Sequence, residues 1–515
     1  MSRILYLITI HKKSIALFTL SFIIIFFELF SIHYNYSGPV ATVTGQQIVT
    51  HDTYPYPYYS DEWVGVSLTK YAIENHALPM TNPLDSNKFF ANPLVVFYSL
   101  TALIFGITGI DPLIGWTLFA LINGLTMCIM IYFISRRLGV SVFASSVAML
   151  AVPLITNGTN APGIWFFVPF LASLSVFLIA ILLTLTKKIC WALAVYTFSL
   201  IIYPPMVLFI LPAIAVTVLQ NKINQIKTLC LAVCGVIFGS GFISIFFIHT
   251  YGWSGTLHLL ISWIIRPNLD GGIPFLSIWN MVPIPILLLV CIGIVIAVQR
   301  KIFPLLLPVI VGLIMWIIYA YIPQTCIIDY SRIVAITSIL LMLFVGLGTD
   351  VCLTYISRWH RHIKNTLMVA ILLCFCVIAF SYPSHNSWSK LTLPLKSGTD
   401  IVIVHPANPI NRYLNPIDLK LFNGIYEHYF ISQPWKGLVI GVATHNYPLE
   451  SKSSTIGNEI VSYNDFISAD CTTKTDIASR SQLTYAYTQA FNCPQFIKIG
   501  ENTPENMNLY QYEQQ

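Results

Sequence analysis

Long apolar runs alternate with short polar connectors along roughly the first three quarters of the chain. A helix rising 1.5 Å per residue crosses a bilayer core of about 30 Å with roughly 20 residues, so each such run is a candidate span. Runs of that kind fall near 14–32, 113–134, 141–157, 166–186, 189–203, 205–220, 229–249, 278–298, 303–322, 333–355 and 366–383. They predict an all-α polytopic membrane domain of about 11 transmembrane helices over residues 1–383, with Tyr203-Pro204-Pro205 turning one span into the next. Beyond 383 the pattern changes. Asn, Ser, Thr and Asp separate short β-like runs such as Ile401 to Val404 and Leu438 to Val442, which predicts a small α/β C-terminal domain over 384–515. The other sizeable region outside the membrane is the first loop, 33–112.

Basic residues orient this array, because cytoplasmic loops retain Lys and Arg. One set of alternate loops carries fourteen of them: Arg3, Lys12, Lys13, Arg136, Arg137, Lys187, Lys188, Lys222, Lys227, Arg300, Lys301, Arg358, Arg361 and Lys364. The other set has four: Lys70, Lys88, Arg266 and Arg332. The N-terminus is therefore expected inside and the C-terminal domain outside, periplasmic in a bacterial inner membrane. Leu94 to Ile110 is apolar enough to span but would reverse every later loop, so it is expected to lie on the outer face or dip into it. The first run lacks a small-residue cleavage site and reads as an anchor.

Composition agrees: 56% of residues are hydrophobic and 9% charged, against roughly 25% charged in soluble domains. A soluble globular protein, a disordered chain and a small disulfide scaffold are excluded. The net charge of +6 is explained by the inner loops and implies no nucleic-acid partner. In the tail, Cys471 and Cys493 are its two cysteines; on an oxidising face they would close a loop worth about 3 kcal/mol.

Acids are scarce enough to weigh singly. Of the ten outside the tail, six lie in the first outer loop: Asp52, Asp61, Glu62, Glu74, Asp85 and Asp111. The segment from His51 to Trp63 joins adjacent carboxylates to prolines and a dense aromatic set. Ser60 is a candidate N-cap, Asp61 and Glu62 favour a helix N-terminus, and Val64, Leu68, Tyr71 and Ile73 give an apolar stripe. An ionised carboxylate there suits a general base, or with its neighbour a divalent cation such as Mg or Mn. The same pair would equally cap a surface helix, and Tyr and Trp also form interfacial belts. Glu28, in the first span, is expected to face the protein interior. No clustered spacing of metal ligands is present, so a structural metal is not expected.

These residues carry a resemblance. Tyr59-Ser60-Asp61-Glu62-Trp63, then Lys70 to Pro79, Asn82-Pro83 and Ile104-Phe105-Gly106, resemble the first outer loop of the GT-C glycosyltransferases, integral-membrane enzymes that use polyprenyl-phosphate sugars. The resemblance covers the first third of the chain by motif and the rest by architecture. It implies Asp61 as catalytic acid with Glu62 its neighbour, and likens Arg332, in Asp329-Tyr330-Ser331-Arg332, to the basic residue set near the lipid phosphate. Lys70 and Arg266 are further candidates for the donor phosphate. Tyr59, Trp63, Asp111 and Trp263 are candidates for sugar or acceptor contact, with helix capping as the alternative for Asp111. Trp253 and His258 belong to the same outer loop as Trp263, a lid or a surface helix.

Within the superfamily, size, first loop and tail resemble the serotype-converting O-antigen glucosyltransferases, which implies polyprenyl-phosphate glucose as donor, a glycan or lipid-linked glycan as acceptor, and membrane lipid as a partner. Aminoarabinose transfer to lipid A and protein O-mannosylation use related architectures, and no residue separates them. An O-antigen polymerase or ligase and a secondary transporter are the competing classes. The first would place its major loop late, the second polar groups at mid-membrane.

Overall fold

The structure is a computed structural model and describes residues 2–34, 36–42, 47–89, 92–155, 164–220, 245, 247–249, 251–258, 261, 265–267, 278–322, 324–359, 361–381, 410–452 and 456–513. The fold is mostly helical and polytopic, with a mixed β-sheet region towards the C-terminus. Among the described residues three helices are long and apolar enough to cross a membrane, Ser14–Tyr34, Pro112–Arg137 and Tyr330–Arg358. Seven further expected spans fall on shorter apolar helices, such as Pro169–Leu185 and Ile284–Gln299. The run expected at 229–249 lies almost wholly outside the described residues. Leu94 to Ile110, expected not to span, holds the 14-residue helix Val95–Thr108.

Two compact units emerge, residues 1–36 with 119–408, and residues 37–118 with 409–515. The first is the helical array. Its Tyr330–Trp359 helix is buried along most of its length and packs closely on Ile284–Gln299. A Cβ at Gly293 would overlap the Phe344 carbonyl, and one at Gly348 the Leu289 carbonyl, so small residues set this backbone approach. At one set of ends Arg300 donates to the Leu138 carbonyl (3.4 Å), Arg137 to the Leu185 carbonyl (3.2 Å), and the Ser141 N–H to Asp350 (3.2 Å). Glu28 is fully buried, as the cost of a lipid-facing carboxylate demands.

The second unit joins the first outer loop to the tail. Strand Tyr36–Thr42 pairs in parallel with Ile410–Arg412, Val40 opposite Ile410. Tyr54 is fully buried, with the Arg412 guanidinium 4.6 Å over its ring and its hydroxyl accepting from the Leu414 N–H (3.2 Å). The tail's main sheet has five strands, in the order Phe496–Asn502, Met507–Tyr512, Leu483–Thr488, Tyr429–Ser432, Tyr447–Pro448. The first three pair antiparallel with one another, and the pairings from the third to the fourth and from the fourth to the fifth are parallel. The α/β reading of the tail is met, but Leu438 to Val442 is helical, inside Pro434–Thr444. Pro434 opens that helix and the Gln433 side chain accepts from the Trp435 and Lys436 N–H groups, which stops an extended strand from forming there. Ile401 to Val404 lies outside the described residues.

Cys471 and Cys493 are joined by a disulfide with Cα atoms 5.5 Å apart. A buried ionic cluster ties helix Pro416–Leu421 to the sheet. Lys436 Nζ lies 2.5 Å from Asp418 Oδ2 and 2.7 Å from Glu505 Oε2, and Asp418 also accepts from Tyr487 (2.6 Å), Asn502 (2.9 Å) and the Asn415 N–H (2.8 Å).

Candidate functional site

Asp61 and Glu62 occupy the first turn of helix Ser60–Asn75. The cap residue is Tyr59 and not Ser60, with extended backbone (φ −110°, ψ 141°). Its N–H donates to Glu62 Oε2 at 3.2 Å, so the glutamate reaches back to satisfy a backbone donor just outside the helix. Glu62 is fully buried, whereas Asp61 is half-buried. Consecutive helix positions point about 100° apart, which is how one carboxylate turns inward and its neighbour stays near the surface. Among the described residues no group of three or more His, Cys, Asp and Glu is placed to hold a metal ion, and Glu62 is engaged at the cap.

The helix is held rigidly within its unit. Trp63 is fully buried, its indole N–H on the Pro57 carbonyl at 3.1 Å, which assigns it to fixing the Pro-rich approach. Gly65 lies against the fully buried Trp116, whose ring a Cβ at residue 65 would overlap. Thr69 and Thr101 hydroxyls meet at 2.9 Å, tying the helix to Val95–Thr108.

Lys70 is mostly buried, 3.9 Å from Asp111 Oδ1 and 3.5 Å from the Val442 carbonyl. Asp111 caps the Pro112–Arg137 helix by accepting from the Leu113 N–H (2.9 Å), and it remains half exposed. Burial, with Asp111 adding to it, raises the Tyr56 hydroxyl pKa above its usual value. Tyr56, Lys70 and Asp111 thus make a second polar group on this unit. Sequence reasoning did not place Tyr56 there, since only folding brings it to Asp111.

Arg332 belongs to the helical unit and opens the Tyr330–Trp359 helix. Its guanidinium donates to the Tyr203 hydroxyl (3.1 Å), lies 3.4 Å from Asp329, and stands 5.9 Å from the Phe170 and Tyr203 ring centroids. The aromatic walls and the Asp329 carboxylate fix its orientation while leaving it partly exposed. Arg266 sits in the short strand Ile265–Pro267, paired with Gln324–Cys326, with Arg266 opposite Thr325. Trp253 and His258 are exposed in a helical segment, and Trp263 lies outside the described residues.

No protein-family model and no curated protein matches the chain. Among solved structures, ArnT from Cupriavidus metallidurans bound to undecaprenyl phosphate matches with a TM-score of 0.52 at 11% identity, over 96% of this chain and 97% of that one. The same protein in its apo state matches at 0.50 and 10%, over 98% of each. The Archaeoglobus fulgidus oligosaccharyltransferase tethered with an acceptor peptide gives 0.48 at 12%, over 92% of this chain and 69% of that one. The ArnT likeness, nearly end to end, shows a shared fold.

Proposed function

We propose that this chain is an inverting GT-C glycosyltransferase that moves a sugar from a polyprenyl-phosphate donor to a hydroxyl of a cell-surface glycan at the periplasmic face of a bacterial inner membrane. The observation that carries the reading is Asp61, a half-buried carboxylate on the first turn of a rigidly packed helix, in a fold shared with a protein solved with undecaprenyl phosphate. The basic-residue alternation supports the orientation, and the Cys471–Cys493 disulfide supports an oxidising compartment for the tail. In this reading residues 1–383 form the catalytic membrane portion and 384–515 the exported domain. The resemblance in size, first loop and tail makes glucose the sugar and O-antigen the acceptor.

The acceptor oxygen attacks the anomeric carbon while the carbon–oxygen bond to phosphate breaks, and the bonding pair leaves on the lipid phosphate. Asp61 takes the hydroxyl proton as the new bond forms. Charge grows on the departing phosphate, where the oriented Arg332 guanidinium, with Arg266 as a further cation, neutralises it. One displacement inverts the anomeric configuration. Tyr59 and Asp111 border the acceptor.

The test is Asp61→Asn in membranes, assayed for transfer from radiolabelled polyprenyl-phosphate glucose. A fall of about 10²-fold to 10⁴-fold is expected for a lost general base. Retained transfer removes Asp61 from the mechanism, and solute uptake into vesicles without transfer favours a carrier.

A further inference from the structure

A second site lies on the same unit as Asp61. A cleft of about 290 Å³ opens between helix Ser60–Asn75 and the turn that follows helix Pro434–Thr444. Lys70, Tyr71 and Glu74 line one wall, and Glu427, His445 and Tyr447 line the other. We infer that this cleft binds a neutral sugar unit of the acceptor glycan, remote from the unit that carries the attacked hydroxyl; the inference rests on the glycosyl-transfer reading for the identity of the chain it holds.

The chemistry of the lining selects the ligand class. Glu74 and Glu427 bring two carboxylates to the rim, which repel phosphate and the anionic surface of a membrane. Lys70 gives its charge to Asp111 and the Val442 carbonyl, so it does not restore an anion site. Carboxylates that accept, an imidazole and a tyrosine hydroxyl that donate or accept, and phenol rings on both walls fit the hydroxyls and apolar faces of a sugar. His445 Nε2 stands 3.7 Å from Glu74 Oε1 across the cleft.

The far wall is built rather than incidental. Glu427 and His445 both hold left-handed backbone (φ 59° and 56°), a conformation that non-glycine residues adopt at a cost. They are joined, the Glu427 N–H donating to the His445 carbonyl at 3.1 Å. The buried Asn446 secures both turns: its Oδ1 accepts from the His428 N–H (3.0 Å), and its Nδ2 donates to the Ile425 carbonyl (2.8 Å) and Thr444 Oγ1 (2.9 Å). Two strained turns therefore present their side chains to one cleft from a fixed floor. Lys70 follows Asp61 by nine residues of one helix, about 13 Å along its axis and half a turn around it, so the cleft is set apart from the carboxylate, as a site for a remote sugar unit requires.

The experiment uses the full chain in nanodiscs and, as probe, the source strain's envelope polysaccharide freed from its lipid, with saturation-transfer NMR as the readout. The wild type is expected to bind saturably. Glu427→Gln and Tyr447→Ala should each weaken binding by tenfold or more. Glu427→Gly removes the same carboxylate while relieving the left-handed strain, so weakened binding with unchanged or higher thermal stability separates recognition from unfolding. Asp61→Asn should bind as the wild type does while losing transfer. No binding by the wild type, or binding by both Glu427 variants at wild-type strength, overturns the assignment. If Asp61→Asn keeps full transfer while the cleft variants lose binding, the glycan site stands and the catalytic reading of Asp61 falls.

Discussion

Replacing Lys436 by methionine is expected to destabilise the tail more than any surface change in it. The ammonium is shared by Asp418 at 2.5 Å and Glu505 at 2.7 Å, and all three side chains are buried. Without Lys436, Asp418 keeps three donors, from Tyr487, Asn502 and the Asn415 N–H. Glu505 keeps only the side chain of Asn415 among the partners that favour its charge. Breaking a buried pair in this way typically costs about 3–5 kcal/mol, because a charge is left uncompensated. At about 1.4 kcal/mol per factor of ten, that is two to more than three decades in the unfolding equilibrium.

The pH dependence gives the prediction its sign. Burial, and the neighbouring Asp418, raise Glu505 above the ordinary 4.5 in spite of Lys436. A folded value above the unfolded one contributes stability that is full below 4.5 and lost as pH rises through the folded value. Removing Lys436 lifts Glu505 further, so the loss in K436M should be smallest in acid and grow towards neutrality. Urea titration of the full chain in detergent, with protection of the Cys471–Cys493 disulfide from reductant read by mass of the tail peptides, reports on this domain. The double variant K436M/E505Q, which removes the stranded charge, should regain most of the stability at pH 7. A loss in K436M below about 1 kcal/mol, against the 3–5 kcal/mol expected of a broken buried pair, would refute the reasoning, as would a loss that ignores pH.

Arg332→Lys keeps the charge but loses the planar fork, and Arg332→Ala loses both; transfer in the alanine variant should fall by about 10²-fold to 10³-fold in kcat, with lysine between it and the wild type. Gly65→Ala forces a methyl into the Trp116 ring and should cost about 1–3 kcal/mol, read as a lowered Tm in detergent. Cys493→Ser opens a crosslink between residues 22 apart and should destabilise the tail by about 3 kcal/mol, measured by the same urea titration.

The membrane array was legible because the cost of placing polar backbone and charge in lipid is local, and acts on each run of residues separately. Span counting was less secure where helices are short: Ile189–Ile202 has 14 residues, and apolarity alone does not say whether it crosses. Leu438 to Val442 was misread as a strand for a related reason. A fully buried apolar run has no polar face, so it displays neither the period of a helix nor that of a strand. Its true state was set by Pro434 and Gln433 at one end, a signal available in the sequence but outweighed by the β-branched composition. The pairing of Val40 with Ile410 joins strands 370 residues apart, and no local pattern encodes a partner at that distance. The same holds for the Lys436 cluster and for Tyr56 beside Asp111. Position and spacing single out Asp61 as a candidate, whereas the different placements of Asp61 and Glu62 needed the helix cap in view.

Those different placements lead to a sharp distinction. Glu62 is buried and accepts from the Tyr59 N–H at 3.2 Å, while Asp61, one position earlier, is half-buried. A glutamine at 62 retains an amide oxygen for the same N–H, so E62Q should keep the helix start and most of the transfer. An alanine there leaves the donor unsatisfied and should lower stability by about 0.5–2 kcal/mol, the usual cost of a lost cap. D61N should do the opposite, lowering kcat by about 10²-fold to 10⁴-fold with little change in Tm, since near-surface substitutions stay within about 0.5 kcal/mol. Steady-state transfer and thermal unfolding, measured side by side on the three variants, separate the roles. If E62Q lost transfer as D61N does, with its fold intact, the chemistry would belong to the buried glutamate, and the half-buried aspartate would be the structural residue of the pair.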